Sequence, residues 1–223
     1  MTIELWHCSN ARSFRVLWTL EEIGLPYQLH MLNFPPRVNH KEFFQENPLG
    51  TIPFLRDGTT ELTESCAMVQ YLGDRYGDGQ VNRRADHPEY GAYVNWLHHG
   101  EATLTFPQTL ILRYGHFEPD ERKLPQAAAD YTQWFLARLR LAEAVLSDGR
   151  SYLLTSGFSL ADIAVGYAIQ LAITIGLRND LPPHIAAWFD RLAKRPAFIR
   201  SQSIERDAHL NAGYPPKKSI LDT

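Results

Sequence analysis

The sequence is poor in cysteine. Cys8 and Cys66 are the only two among 223 residues, too few for a disulfide framework or a cysteine-rich metal site. The nine histidines show no His-x-x-x-His or similar ligand spacing, so no metal is expected. Neither charge dominates. Lysine and arginine total 22 against 25 acids, a formal net charge of −3, which gives no reason to expect nucleic acid or an anionic membrane as partner. No apolar run approaches the length of a membrane helix. The first residues carry neither a basic region nor an apolar signal segment, so an unprocessed cytoplasmic chain is expected. Internal repeats and low-complexity tracts are absent.

What the chain does have is 44% hydrophobic residues beside 21% charged ones, the balance of a globule with a real core. Residues 2–7 alternate as a strand. Phe14, Val16, Leu17, Leu20 and Ile23 form a helical stripe, with Ser9 or Asn10 as the expected cap and Gly24 as the stop. Residues 27–34 read as a second strand and 41–46 as a short helix. Strand, helix, strand, helix, hairpin and helix make a compact α/β domain of about 80 residues.

The most informative stretch is 47–66. Two short apolar runs flank Asp57-Gly58, which predicts a β-hairpin. Pro53 precedes the first strand, where a missing N–H costs nothing, and is a candidate cis bond. A cis bond there turns the backbone of Ile52 outward, where an extended ligand can pair with it. Cys66, Ala67, Met68, Val69, Tyr71 and Leu72 then follow at helical spacing. Glu64 and Ser65 open that helix. Its amides and dipole suit a carboxylate and Glu64 suits an ammonium, as if to hold a small zwitterion.

This stretch, Asn47-Pro48-Leu49-Gly50-Thr51-Ile52-Pro53 with Glu64-Ser65, resembles the cytosolic glutathione transferases, bacterial or fungal in type. The resemblance implies an α/β thioredoxin-like N-terminal domain followed by an all-α C-terminal domain, usually a homodimer. It implies that Ile52 and Pro53 hold the cysteinyl part of glutathione and that Glu64 and Ser65 hold its γ-glutamyl end. Arg12, Arg37 and Lys41 are candidates for the glycine carboxylate. Glutathione is then a co-substrate whose own thiol is the nucleophile. The register through Arg15 and Glu21–Pro26 puts Asn10 where many relatives carry a catalytic serine or cysteine, and Ala11 where another branch has its serine. Ser9 and Asn10 are therefore both candidates to activate the thiol. Cys8 and Cys66 are expected to be inert packing residues.

The first domain is expected to span 1–79, with a linker at 80–87 and a helical domain at 88–223. Residues 90–112 read as one helix with Pro107 as a kink or break, and 127–146 as another. Ser159 and Asp162 form a capping box before the apolar helix 160–175. A last short helix follows Pro196, and the tail from Ala212 through Lys218 looks loose or draped. In the resemblance, a hydrophobic electrophile lies in the cleft between domains, with Phe106, Leu110, Tyr114 and Phe117 as candidate lining. Three alternatives stay open: a glutathione-dependent peroxidase or disulfide reductase, a non-catalytic regulatory or interaction protein, and a thiol transferase acting through Cys8.

Overall fold

The computed structural model describes residues 2–215; Pro216, Lys217 and Lys218 of the expected tail lie outside them. Two compact units are present, residues 2–82 with 194–215 and residues 83–193.

The first unit contains β1 (Ile3–His7), α1 (Phe14–Ile23), β2 (Tyr27–Met31), α2 (Pro36–Asn39), a 3₁₀ turn at Lys41–Gln45, β3 (Phe54–Asp57), β4 (Thr60–Leu62) and α3 (Ser65–Tyr76). The sheet order is β2-β1-β3-β4. The β1–β2 pair is parallel and the other two pairs are antiparallel. This is the expected thioredoxin-like arrangement. Alternation puts Ile3, Leu5 and Leu55 on one face, where they bury against Val16, Leu17 and Leu20 of α1 and Met68 and Leu72 of α3. Trp6, Phe43 and Phe54 form a second apolar cluster. β2 is shorter than expected. It ends at Met31, and cis Phe34–Pro35 then leads into α2 rather than a plain loop. The cis bond expected at Ile52–Pro53 is present.

Two helical expectations are corrected here. Neither Ser9 nor Asn10 caps α1; the cap position is Ser13. Residues 8–13 instead make tight turns, including Ala11 N–H to the Cys8 carbonyl at 3.2 Å and Phe14 N–H to the Ala11 carbonyl at 2.9 Å. The final helix is not short. α10 (Pro196–Asn211) has sixteen residues and packs on α1, with the Phe198 ring 4.9 Å from Trp18 and 5.6 Å from Phe14. Arg195 pairs with Glu22, and Arg200 Nε donates to Glu21 at 2.9 Å.

The expected linker 80–87 is anchored by its side chains. Val81, Asn82 and Arg83 are buried. Asn82 Nδ2 donates to Asp74 at 3.0 Å. Arg83 donates to Ser156 Oγ at 2.9 Å and to the carbonyls of Ser156, Gly157 and Phe158.

The second unit is all helical: α4 (Tyr90–His98), α5 (Phe106–Leu112), α6 (Pro125–Arg138), α7 (Arg140–Leu146), α8 (Leu160–Thr174) and α9 (Pro183–Leu192), with short 3₁₀ turns. Pro107 does not break the first of these. A π-helical segment, His99–Thr105, joins α4 to α5. The wider turn takes up the missing N–H of Pro107, and Thr105 Oγ1 donates to the Gly100 carbonyl at 2.8 Å. Residues 127–146 are two helices that part at Leu139. α8 is buried on nearly every side, which accounts for its apolar composition.

Glu89 ties the start of this unit to the loop before α8. It accepts from the Thr155 N–H, the Thr155 hydroxyl and the Ser156 N–H, each at 2.9 Å. Burial alone pushes its carboxyl up; the bonds from Ser156 and Thr155 outweigh that and hold it at about 2 against an ordinary 4.5. A depressed carboxyl contributes stability that is full above the ordinary value and is lost as pH falls through the folded one. Glu89→Gln is therefore expected to flatten the acid limb between about pH 4.5 and about pH 2, modestly because solvent screens the site. Denaturant midpoints at stepped pH check this. Parallel acid limbs for the two proteins exclude it.

Candidate functional site

The N-terminal unit gathers three of the expected groups. The Ile52–Pro53 cis bond leads directly into β3, and Ile52 itself lies outside the ladder, so no strand pair takes up its backbone. Glu64 is exposed at the cap position of α3 with extended backbone, and Ser65 is the first helical residue. The first α-helical bond runs from the Met68 N–H to the Glu64 carbonyl at 2.9 Å. Ser65 is buried, and its hydroxyl accepts from Arg15 Nη1 at 3.0 Å. That leaves the Ser65 hydroxyl hydrogen to donate. A helix N-terminus, a hydroxyl donor and an exposed carboxylate suit a zwitterion bearing one carboxylate and one ammonium. Asn47 supports the turn from behind: its Nδ2 donates to the Thr51 carbonyl at 2.7 Å, and its Oδ1 accepts the Leu49 N–H at 3.0 Å.

The loop after β1 carries Ser9 and Asn10, both half-buried. Asn10 has φ +60°, a conformation that asparagine tolerates better than most residues. Its N–H donates to Glu205 Oε2 at 3.1 Å. The same oxygen lies 2.9 Å from His7 Nε2. His7 Nδ1 lies 2.7 Å from Ser13 Oγ. This serine, histidine and acid do not make a hydrolytic triad. Ser13 is fully buried, and its oxygen also accepts the Cys8 N–H at 3.3 Å. The set serves to hold the loop.

Ser9 Oγ lies 3.1 Å from His209 Nδ1, and His209 Nε2 lies 2.8 Å from the Pro215 carbonyl. Tyr214 closes the group. Its hydroxyl is 3.1 Å from His40 Nε2, its ring centroid is 5.3 Å from that of His209, and burial pushes its phenol up. The tail expected to be loose is thus pinned at Tyr214.

Arg12 is half-buried, while Arg37 and Lys41 are exposed on and beside α2. Cys8 and Cys66 are both buried and are not joined in a disulfide. In the helical unit Phe106 and Phe117 are exposed and Leu110 and Tyr114 are half-buried. Arg113 sits over the Tyr114 ring at 5.5 Å. Among the described residues no group of three or more His, Cys, Asp or Glu is placed to hold a metal, and no helix is long and apolar enough to cross a membrane.

Sequence reasoning missed Arg15, Glu205, His209 and Tyr214. One signal was there for two of them. The buried stripe of α10 begins with Ala197 and Phe198 and continues at four-residue spacing as Ser201, Glu205 and His209. Polar residues in the position of core residues need partners elsewhere.

Residues 9–75 match the family model described as the glutathione S-transferase N-terminal domain, and residues 125–191 match that of the C-terminal domain. The glutathione S-transferase GstB of Escherichia coli is 30% identical over 204 residues, covering 87% of this chain and 95% of that protein. The chain belongs to the glutathione S-transferase family. A glutathione S-transferase from Hyoscyamus muticus is 29% identical over 198 residues, with 84% of this chain and 91% of that one covered. Among solved structures, the glutathione transferase URE2P6 from Phanerochaete chrysosporium, in complex with oxidized glutathione, superposes with a TM-score of 0.81 at 25% identity, covering 92% of this chain and 97% of that chain. Ure2p in complex with glutathione gives 0.77 at 21% identity, with 90% and 97% covered, a likeness of fold. Position 10 of this chain is asparagine, neither serine nor cysteine.

Proposed function

We propose that this protein is a glutathione transferase that binds glutathione on its N-terminal unit and presents the thiol as thiolate to a hydrophobic electrophile. The observation that carries the reading is Ser65 at the start of α3, buried, oriented by Arg15 and flanked by the exposed Glu64. In this reading Ser65 and the helix amides take the γ-glutamyl carboxylate, and Glu64 takes the ammonium. The backbone of Ile52, set by Pro53, pairs with the cysteinyl residue. Arg12, Arg37 and Lys41 compete for the glycine carboxylate. Ser9 or Asn10 faces the sulfur. Phe106, Leu110, Tyr114 and Phe117 receive the electrophile. The protein works as a cytoplasmic homodimer. Rate is gained from the thiolate population and its orientation, with no covalent enzyme intermediate.

Isothermal titration of glutathione into the wild type and Ser65→Ala tests the first site. Loss of a hydrogen bond to a charged group costs about 1.5–3 kcal/mol, so affinity in the variant should fall roughly tenfold or more. Equal affinities would remove Ser65 from the site. No binding by wild type would overturn the transferase reading.

A glutathione-dependent disulfide reductase is a second reading, favoured by one observation: URE2P6 is seen with oxidized glutathione. Turnover of a mixed glutathione disulfide, measured beside conjugation, separates the two.

A further inference from the structure

The catalytic loop in this family member ends in a hydrogen-bond chain whose direction is fixed by its far end. The Pro215 carbonyl can only accept, so His209 Nε2, 2.8 Å away, carries a hydrogen. In a neutral imidazole Nδ1 is then bare. Ser9 Oγ lies 3.1 Å from Nδ1 and must donate to it. The resting Ser9 hydroxyl hydrogen is therefore committed to His209 and is not available to a thiolate. Only when His209 Nδ1 is protonated does the bond reverse and free the Ser9 hydrogen to donate outward.

We propose that His209 is the proton acceptor for the thiol of bound glutathione, acting through Ser9. The proposal rests on the glutathione-binding reading above. As the S–H bond breaks, its electron pair stays on sulfur and its proton passes to Ser9 Oγ. The hydroxyl proton of Ser9 passes in the same step to His209 Nδ1. The products are a thiolate accepting from the Ser9 hydroxyl and an imidazolium donating through Nδ1 to Ser9 and through Nε2 to Pro215. Every atom of the chain then has a partner of the right kind, and no net charge is created in the site. Glu205 stands one helical turn before His209 on the same buried stripe and supplies a carboxylate on that face. That oxygen also holds the Asn10 N–H and approaches His7. The Tyr214 ring packs beside the imidazole and shields it from water. Ser9 is in this account the catalytic residue, touching sulfur, and His209 is a positioning and proton-holding residue behind it.

The test compares wild type, His209→Gln and Ser9→Ala by three readouts. The first is the ultraviolet absorbance of bound glutathione thiolate. The second is calorimetry in two buffers of different ionisation heat, which counts protons released on binding. The third is affinity for S-methylglutathione, which has no thiol proton. Glutamine keeps hydrogen bonds to Ser9 and Pro215 but takes no proton, so it separates the proton role from the structural one. Wild type is expected to form thiolate near neutral pH while releasing much less than one proton per site. His209→Gln is expected to bind S-methylglutathione as wild type does and to lose thiolate about tenfold, the equivalent of one pKa unit. Ser9→Ala should lose it to a similar extent. Thiolate unchanged in His209→Gln, or one full proton released per thiolate by wild type, overturns the relay and leaves glutathione binding standing. Failure of wild type to bind either ligand overturns the glutathione reading, and the relay with it.

Discussion

Asp162→Ala is expected to lower the stability of the helical unit by about 3–5 kcal/mol, since several buried donors lose their shared acceptor at once. Asp162 is fully buried at the third position of α8. Its Oδ2 accepts the Ser159 N–H at 2.9 Å, which closes the capping box foreseen in the sequence. Its Oδ1 does work outside the helix, accepting the Leu153 N–H at 2.9 Å and the Trp188 indole N–H at 3.1 Å. Alanine leaves these three N–H donors buried without an acceptor, each costing about 1–3 kcal/mol before relaxation, and also removes the acceptor 3.3 Å from the Ser159 hydroxyl. Asp162→Asn should also destabilise, because its amide places donors against donors. Thermal unfolding should fall by roughly 10 °C for alanine. A midpoint within a degree or two of wild type would exclude this role. Burial pushes the Asp162 carboxyl up to about 6 from 3.8 despite its bonds. A raised carboxyl contributes most below its ordinary value and less as pH rises through the folded one. The stability gap between wild type and Asp162→Ala should therefore be wider near pH 3.8 than above about pH 6.

Gly100→Ala is the second large effect, and two principles disagree on its sign. Helix propensity alone predicts that alanine stabilises by about 1 kcal/mol. The packing opposes it. A Cβ at Gly100 would lie 2.6 Å from the Ala164 carbonyl oxygen, 2.7 Å from its carbon and 3.0 Å from the Val165 nitrogen. All three are backbone atoms of α8, so no rotamer change relieves the overlap, and the π segment must move away from α8. Overpacking of this kind costs about 1–3 kcal/mol and sometimes more, with the upper end expected here. Gly91→Ala in α4 is the matched control. It has no neighbour within 4 Å and should stabilise by about 0.5–1 kcal/mol. Urea midpoints of the two variants should move in opposite directions. Both moving upward would show that the crossing yields easily.

Much of the N-terminal site was legible because its signals are local. Asp57-Gly58 and the flanking apolar runs specify a hairpin over residues 54–62. Pro53 specifies its own bond partner, and Glu64-Ser65 precede a helical stripe that begins at Cys66. The loop at Ser9 and Asn10 was legible only as a candidate. Helix capping by these two residues was the natural expectation, and it failed because Ser13, held between His7 and Cys8, starts α1 later. Pro107 misled for a related reason. A proline breaks an α-helix by removing one bond, and a π turn beside it removes the need for that bond.

The sequence alone determined the main strands and helices of the first unit and its α/β character, the helical character of the second, the capping box of α8 and the residues that open α3. Each depends on neighbours within a few positions, where propensity and periodicity act. Tertiary structure alone decided what meets the loop after β1. Glu205 and His209 lie about two hundred positions from Asn10 and Ser9 in sequence, and nothing in local spacing couples them. They arrive because the aromatic contact of Phe198 with Phe14 and Trp18, and the ion pairs of Arg195 and Arg200 with Glu22 and Glu21, lay α10 along α1. Once that packing is made, the polar stripe of α10 has no water to face and takes its hydrogen bonds from the loop.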